Sequence, residues 1–106
     1  MKTAKINDMV RGWFIGDFEP SVFRTKDFEV GILSHKKDEV WPEHYHKIAT
    51  EYNVLISGKM LIRDTIIEPG TIFVLEPNEV ADPKFLEDCT VVTVKTPSIM
   101  GDKYNV

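Results

Sequence analysis

Residues 44–58 read HYHKIATEYNVLISG, and this stretch decides how the rest of the chain is interpreted. His44 and His46 are two positions apart, so on a β-strand their side chains point to the same face. Their Cα atoms would lie roughly 6.6 Å apart, close enough for two imidazoles to reach one ion. Glu51 opens the next apolar run and supplies a carboxylate. Two neutral nitrogen ligands and one oxygen anion suit a divalent first-row metal.

The composition is that of an ordinary soluble globular domain. The chain has 106 residues, of which 42% are hydrophobic and 28% charged. Its formal net charge is −4 and its basic residues are scattered, so we expect no nucleic-acid partner. A single cysteine excludes an intrachain disulfide and favours a reducing, cytoplasmic location. No apolar signal segment or run of about 20 apolar residues is present, so we expect neither secretion nor a membrane partner.

The pattern along the chain predicts an all-β fold. Short apolar runs alternate with turn residues at intervals of about 8 to 12 residues, and long helical periodicity is absent. About nine or ten short strands of this kind indicate a β-sandwich or a jelly-roll barrel. We predict strands over residues 13–15, 21–24, 28–34, 43–46, 51–57, 60–63, 66–68, 71–75, 80–85 and 89–96.

The strand that begins at Glu51 carries apolar side chains on both of its faces. Tyr52, Val54 and Ile56 share one face, whereas Leu55 lies on the other face with Glu51. This pattern predicts burial on both sides, with one face towards the barrel interior. The other face would then cover a partner sheet or a second subunit, which suits a homodimer.

Four other side chains receive a structural interpretation. His35 lies at a strand end beside two lysines and is expected to face water. Cys89 lies in a strand-like run and is expected to be a buried, inert thiol. Ile99 and Tyr104 are expected to dock the C-terminal segment onto the barrel.

The 44–58 stretch resembles the first motif of the cupin superfamily, written G-x5-H-x-H-x3,4-E-x6-G. His44, His46, Glu51 and Gly58 occupy its last four positions at the family spacing, and Asp38 stands where the first glycine would fall. The resemblance implies a cupin jelly-roll β-barrel, also called a double-stranded β-helix, with its metal site inside the barrel. It also implies a single domain over residues 1–106, often assembled as a homodimer.

Within that domain the resemblance assigns three parts. The motif-bearing barrel covers about residues 28–96, residues 1–12 form an N-terminal arm, and residues 97–106 form a C-terminal tail.

The second cupin motif, G-x5-P-x-G-x2-H-x3-N, is only partly present. Gly70 fits its start, but Ala81 stands where the metal-binding histidine would fall and Phe85 where the asparagine would fall. Two alternatives follow from this departure. Asp82, one residue further on, replaces the missing ligand, or the site has three protein ligands and more open positions.

The predicted metal ligands are therefore His44, His46 and Glu51, with Asp82 as a fourth. Two histidines and a carboxylate resemble the facial arrangement of non-haem iron(II) oxygenases. The oxygen-rich set favours iron, manganese or nickel, and zinc also suits such a site.

Two functions remain open at this point. The first is a metal-dependent enzyme acting on a small organic molecule, an oxygenase or an isomerase, with Glu76 or Asp82 as the catalytic base. The second is a non-catalytic module that binds or senses a small ligand in the same barrel.

Overall fold

The chain is almost entirely β-structure. The computed structural model describes all residues, 1–106, in which ten strands follow a short 3-10 turn over Ile6–Asp8. The strands are β1 (Trp13–Ile15), β2 (Glu29–His35), β3 (His44–Tyr45), β4 (Thr50–Ser57), β5 (Met60–Ile62), β6 (Thr65–Ile67), β7 (Ile72–Leu75), β8 (Lys84–Phe85), β9 (Cys89–Thr96) and β10 (Tyr104–Asn105). The predicted all-β fold is confirmed, and no helix has the length and apolar character that a bilayer crossing needs.

The strands form three antiparallel sheets. The largest has the order β1-β2-β9-β4-β7, a second has the order β6-β5-β8, and β3 pairs with β10. One hydrophobic core draws on the first two sheets, so these sheets pack against each other. Its nine buried residues are Leu55, Met60, Ile62, Ile67, Leu75, Ala81, Phe85, Cys89 and Val91.

Strand alternation decides which side chains of the large sheet point inward. In β9 the buried residues are Cys89, Val91 and Thr93, and the residues between them are less buried. In β4, Asn53 and Leu55 are buried on the same inner face. The long β-branched run of β9 favours an extended strand paired on both edges, and β9 does lie between β2 and β4.

Both polar atoms of the one buried amide on this inner face take part in hydrogen bonds. Thr93 Oγ1 donates to Asn53 Oδ1 over 2.7 Å, and Asn53 Nδ2 donates to the carbonyl oxygen of Phe73 over 3.4 Å. Cys89 is also buried, as predicted, and burial raises the pKa of its thiol, which is what an inert thiol requires.

Three predicted strands are absent or shortened to two residues in the structure, and one of them, predicted over 43–46, is only β3, so that His46 lies just outside it. Residues 21–24 do not form a strand, and only an isolated bridge joins Phe23 to Ile15. The predicted strand over 80–85 is shortened to β8, because Pro83 has no N–H to donate to a ladder.

The C-terminal segment contributes to the fold with a strand of its own. Tyr104 and Asn105 pair with Tyr45 and His44, and the rings of Tyr104 and Tyr45 stack with their centroids 5.6 Å apart. The predicted docking through Tyr104 is confirmed, and Ile99 lines the main cavity.

Gly58 connects β4 to β5 in a conformation that other residues rarely adopt. Its φ is +96°, and a Cβ placed there would lie 2.2 Å from the carbonyl oxygen of Asp88 and 2.7 Å from Cys89 Sγ. A side chain at this position therefore meets backbone atoms that cannot move independently.

We predict that Gly58→Ala lowers the free energy of unfolding by about 3 kcal/mol or more, because backbone strain of about 1 kcal/mol adds to displacement of the Asp88–Cys89 backbone. Gly70→Ala is the matched control. Its φ is +87°, but nothing lies within 4 Å of a built Cβ, so only the strain of about 1 kcal/mol applies. Equal losses in urea-unfolding measurements on the two variants would contradict this account.

Candidate metal centre

Three of the four predicted ligands line one cavity of about 400 Å³. His44, His46 and Glu51 all contribute to its wall, together with apolar side chains from both packed sheets, among them Leu33 and Phe85. A cavity of this size, mostly apolar with a few converging polar groups, is typical of a small-molecule site.

Short strands hold the two histidines at this wall. His44 lies in β3, and a bridge with two hydrogen bonds, of 3.0 and 2.7 Å, joins its backbone to Ala81. His46 follows β3 directly, and Glu51 is the second residue of β4. The ring centroids of the histidines are 5.7 Å apart, and His46 Nε2 lies 3.2 Å from Glu51 Oε2. The structure therefore brings the three side chains to one cavity wall, where His46 and Glu51 are in contact.

Both imidazoles are oriented through their Nδ1 atoms. His44 donates from Nδ1 to the carbonyl oxygen of Pro42 over 3.0 Å, and His46 donates from Nδ1 to the carbonyl oxygen of Asp102. A carbonyl oxygen can only accept, so each Nδ1 carries the proton. This leaves Nε2 as the metal-binding atom, the arrangement usual for ligating histidines.

The two histidines differ in their electrostatic surroundings. Burial lowers the pKa of His44, and the nearby charges of Lys103 and His46 act in the same direction. The hydrogen bond to Glu51 raises the pKa of His46 in spite of burial. Burial acts to raise the pKa of Glu51, but the His46 contact and neighbouring positive charges outweigh it, so that pKa lies below its ordinary value.

The two imidazoles and the carboxylate are donor types that suit a divalent metal, but the three side chains are not positioned around a common point. No group of three or more His, Cys, Asp or Glu side chains is close enough to hold an ion. His46 and Glu51 contact each other instead, and His44 Nε2 has no protein partner. Metal binding would require His46 Nε2 to exchange its contact with Glu51 for the ion.

The structure does not bring Asp82 or Glu76 to the cavity. Ala81 faces the cavity, so strand alternation turns Asp82 away, and Asp82 Oδ1 accepts a hydrogen bond of 2.8 Å from the Arg63 backbone N–H. Glu76 is exposed in the turn that follows β7. The predicted roles of Asp82 as a fourth ligand, and of either residue as a base, therefore have no support from the geometry of this cavity.

Asp102 is the structural residue that sequence reasoning missed. Its carboxylate accepts hydrogen bonds from three consecutive backbone N–H groups, those of Lys47, Ile48 and Ala49, over 2.9–3.1 Å. Its own carbonyl oxygen holds His46. Asp102 therefore fixes the loop between β3 and β4 and orients one predicted ligand. The partners are 53 to 56 positions apart, and no local spacing signals such a contact.

A second missed feature is a histidine–carboxylate pair on the cavity wall. His35 does not face water: its side chain is 14% exposed and its ring stacks on Phe85 at 4.2 Å between centroids. His35 Nδ1 lies 2.6 Å from Glu39 Oε2, and the same oxygen accepts a hydrogen bond of 2.5 Å from Trp41 Nε1. The alternation of β2, with Leu33 pointing inward, is the signal that could have placed His35 inside.

Comparison with solved structures identifies the fold class. The chain superposes on an uncharacterized conserved protein with a double-stranded β-helix domain from Klebsiella pneumoniae with a TM-score of 0.73 and 18% identity, covering 99% of this chain and 91% of that one. It superposes on KdgF from Halomonas sp. with a TM-score of 0.66 and 18% identity, covering 72% and 74%. No protein-family model and no curated protein matches the sequence.

A third similar structure is an enzyme. It is a sugar phosphate isomerase of the cupin superfamily from Silicibacter pomeroyi, with a TM-score of 0.55 and 15% identity, covering 66% of this chain and 50% of that one. The chain therefore has the cupin fold, a double-stranded β-helix, as the resemblance of its first motif implied.

We predict that Asp102→Asn lowers the free energy of unfolding by about 2 kcal/mol, because a charged acceptor for three backbone donors is lost. Burial acts to raise the pKa of Asp102, but those three hydrogen bonds and His46 hold it below its ordinary value. The stabilisation is therefore complete above the unfolded pKa of about 3.9 and is lost as pH falls through the lower folded value.

Asp88→Asn is the matched control, because the Asp88 carboxylate is exposed and accepts only one backbone N–H, from Lys37 at 2.8 Å. We expect it to cost about 0.5 kcal/mol. Thermal unfolding between pH 3 and 7 checks both variants, and an Asp102→Asn protein as stable as the control would contradict the role given to Asp102.

Proposed function

We propose that this protein is a metal-binding cupin that acts as an enzyme on a small organic molecule. The observation that carries the proposal is the pair His44 and His46, with both Nδ1 atoms tied to carbonyl oxygens and Glu51 beside them in one cavity. Side chains that merely face solvent do not need this orientation. An enzyme among the proteins with the same fold supports catalysis as the role.

The proposed ligands are His44 and His46 through Nε2 and Glu51 through its carboxylate. A bound divalent ion, for which we favour iron, manganese or nickel over zinc, would supply Lewis acidity and, for a redox-active metal, electrons. Open coordination positions would leave room for substrate, as an oxygenase or an isomerase requires.

His35 is the proposed proton-transfer group of the cavity in place of Glu76 and Asp82. Glu39 fixes its Nδ1, which leaves Nε2 as the atom able to accept or give a proton. Apolar side chains such as Phe73 and Phe85 share the cavity and would exclude water around this group.

A non-catalytic ligand-binding or sensing module is the second candidate. One observation favours it: Ala81 faces the cavity where the second cupin motif carries a histidine, and no closed set of three ligands is present. A stoichiometric metal with no turnover across oxygenase and isomerase substrate panels would support this role.

We predict that protein purified without a tag contains about one transition-metal ion per chain, and that the double variant His44→Ala/His46→Ala contains less than a tenth of that amount. The double variant removes both nitrogen ligands, and the remaining carboxylate binds such ions weakly. Elemental analysis by mass spectrometry measures the metal content.

Two control variants separate ligation from general damage. Asp82→Ala and His35→Gln are expected to retain the metal, because Asp82 lies outside the cavity and His35 is engaged with Glu39. Wild-type protein without stoichiometric metal, or a full metal load in the double variant, would refute the proposed centre.

The same proposal includes a homodimer formed through the outer face of the large sheet. Eight apolar side chains line up across four strands of that face, in two rows set by the strand register. Tyr52 is 47% exposed and Ile72 is 72% exposed, which is unusual for a row of adjacent apolar residues. The rows contain no charged residue, so a second copy of the same face can cover them. They consist of Val30, Val94, Tyr52 and Val74, and of Ile32, Val92, Val54 and Ile72.

We predict that light scattering gives twice the mass of one chain, and that Tyr52→Glu weakens the dimer by about 30-fold or more, because a buried charge would oppose an apolar partner. Ile66→Glu is the control, because Ile66 is 48% exposed on β6, which belongs to the three-stranded sheet β6-β5-β8. A monomeric wild type, or equal disruption by the control, would contradict a dimer through this face.

A further inference from the structure

The cavity is lined by two positive side chains that are exposed and form no salt bridge. Arg11 and Lys103 both line it, and neither takes part in any of the chain's salt bridges. Lys95 also lines the cavity, but its Nζ lies 2.8 Å from Glu29 Oε1, which neutralises it. Three acidic side chains also line the cavity, and each is paired with another residue: Glu19 with Arg24, Glu29 with Lys95 and Glu51 with His46.

The backbone holds Arg11 beside the cavity in a specific way. Arg11 and Gly12 have φ values of +51° and +88°, and the Trp13 backbone N–H donates to the Val10 carbonyl oxygen over 3.0 Å. This is a two-residue turn with both central residues in the left-handed region. The left-handed backbone conformation is unfavourable for arginine, so contacts with the surrounding structure must hold the turn in place.

Lys103 is held from the opposite end of the chain. Its Nζ lies 4.3 Å above the ring centroid of Trp41, a cation–π contact, and the next residue towards the N-terminus is the anchored Asp102. Burial lowers the pKa of Lys103, the positive charges of Arg11 and Lys95 lower it further, and the negative charge of Glu51 acts in the opposite direction. Arg11 and Lys103 therefore repel each other, and an anion bound between them would relieve that repulsion.

We propose that Arg11 and Lys103 form a subsite for the anionic oxygen group, a carboxylate or a phosphate, of a small organic ligand held in the cavity. The inference rests on that part of the proposed function which makes the cavity a ligand site. Arginine offers paired N–H donors to such a group, and lysine adds a point charge. The rest of the ligand would lie along the apolar wall towards His44 and His46.

The test measures binding of three probes by NMR titration of isotope-labelled protein: succinate, inorganic phosphate and the uncharged succinamide. We expect at least one of the two anions to bind with shifts at cavity residues, and to bind more weakly as salt rises. Succinamide is expected to bind at least tenfold more weakly. Preference between succinate and phosphate identifies the anionic group.

Variants assign the binding to the two cations. Arg11→Gln and Lys103→Met are each expected to raise the Kd of the anion about threefold, and the double variant about tenfold. Lys84→Met is the control, because Lys84 is exposed on β8 and does not line the cavity, yet the change in net charge is the same. Absence of anion binding, equal binding of succinamide, or unchanged binding in the double variant would overturn the proposal.

The same titrations on metal-free protein separate this inference from the metal centre. Anion binding that persists after dialysis against a chelator, and in His44→Ala/His46→Ala, assigns the subsite to Arg11 and Lys103 alone. A protein without metal that binds the anion through these residues refutes the centre and leaves the subsite standing. A protein that contains metal, but whose anion binding does not depend on Arg11 or Lys103, refutes only the subsite.

Discussion

The two-residue period of the β-strands is the constraint on which the cavity depends. In β4 it places Glu51, Asn53 and Leu55 on the inner face, and in β9 it places Val91 and Thr93 opposite them. A shift of one residue in any of these strands would exchange the polar cavity wall for the apolar outer rows. The register is therefore fixed by the core and by the site at once, because the same inner face serves both.

That period explains how much of the fold and site could be predicted. The spacing of His44, His46 and Glu51 and the alternation of β4 were readable from the sequence, because strand geometry turns them into positions on one face. The same rule excludes Asp82 from the cavity once Ala81 is known to pair with His44. That pairing joins residues far apart in the sequence, so the sequence alone does not reveal it. Asp102 and Lys103 were beyond prediction for the same reason, since only the folded chain brings the C-terminal segment to the loop after β3.

Residues of the two terminal segments contribute to the cavity beside the barrel strands. The barrel strands supply the histidines and the carboxylate, but Asp102 orients His46 and Trp41 supports Lys103. Arg11 comes from the turn that precedes β1. Side chains from both terminal segments therefore line the same cavity as the barrel residues, so these segments belong to the candidate site as well as to the fold.

The contact between His46 and Glu51 pairs two mostly buried polar side chains within the protein itself. A carboxylate with 18% of its side chain exposed is costly to keep charged, and the contact with His46 offsets part of that cost. The raised pKa of His46 contributes stability fully below its ordinary value of 6.5, and that contribution is lost as pH rises through the folded value.

The lowered pKa of Glu51 contributes stability above its ordinary value of 4.5, and that contribution is lost as pH falls through the folded value. The pair therefore stabilises the protein most between about pH 4.5 and 6.5. Under the proposed function, a divalent ion at His46 Nε2 would take over the neutralisation of Glu51. Folding and metal loading would then be separable steps, since the same two side chains would be satisfied in either state.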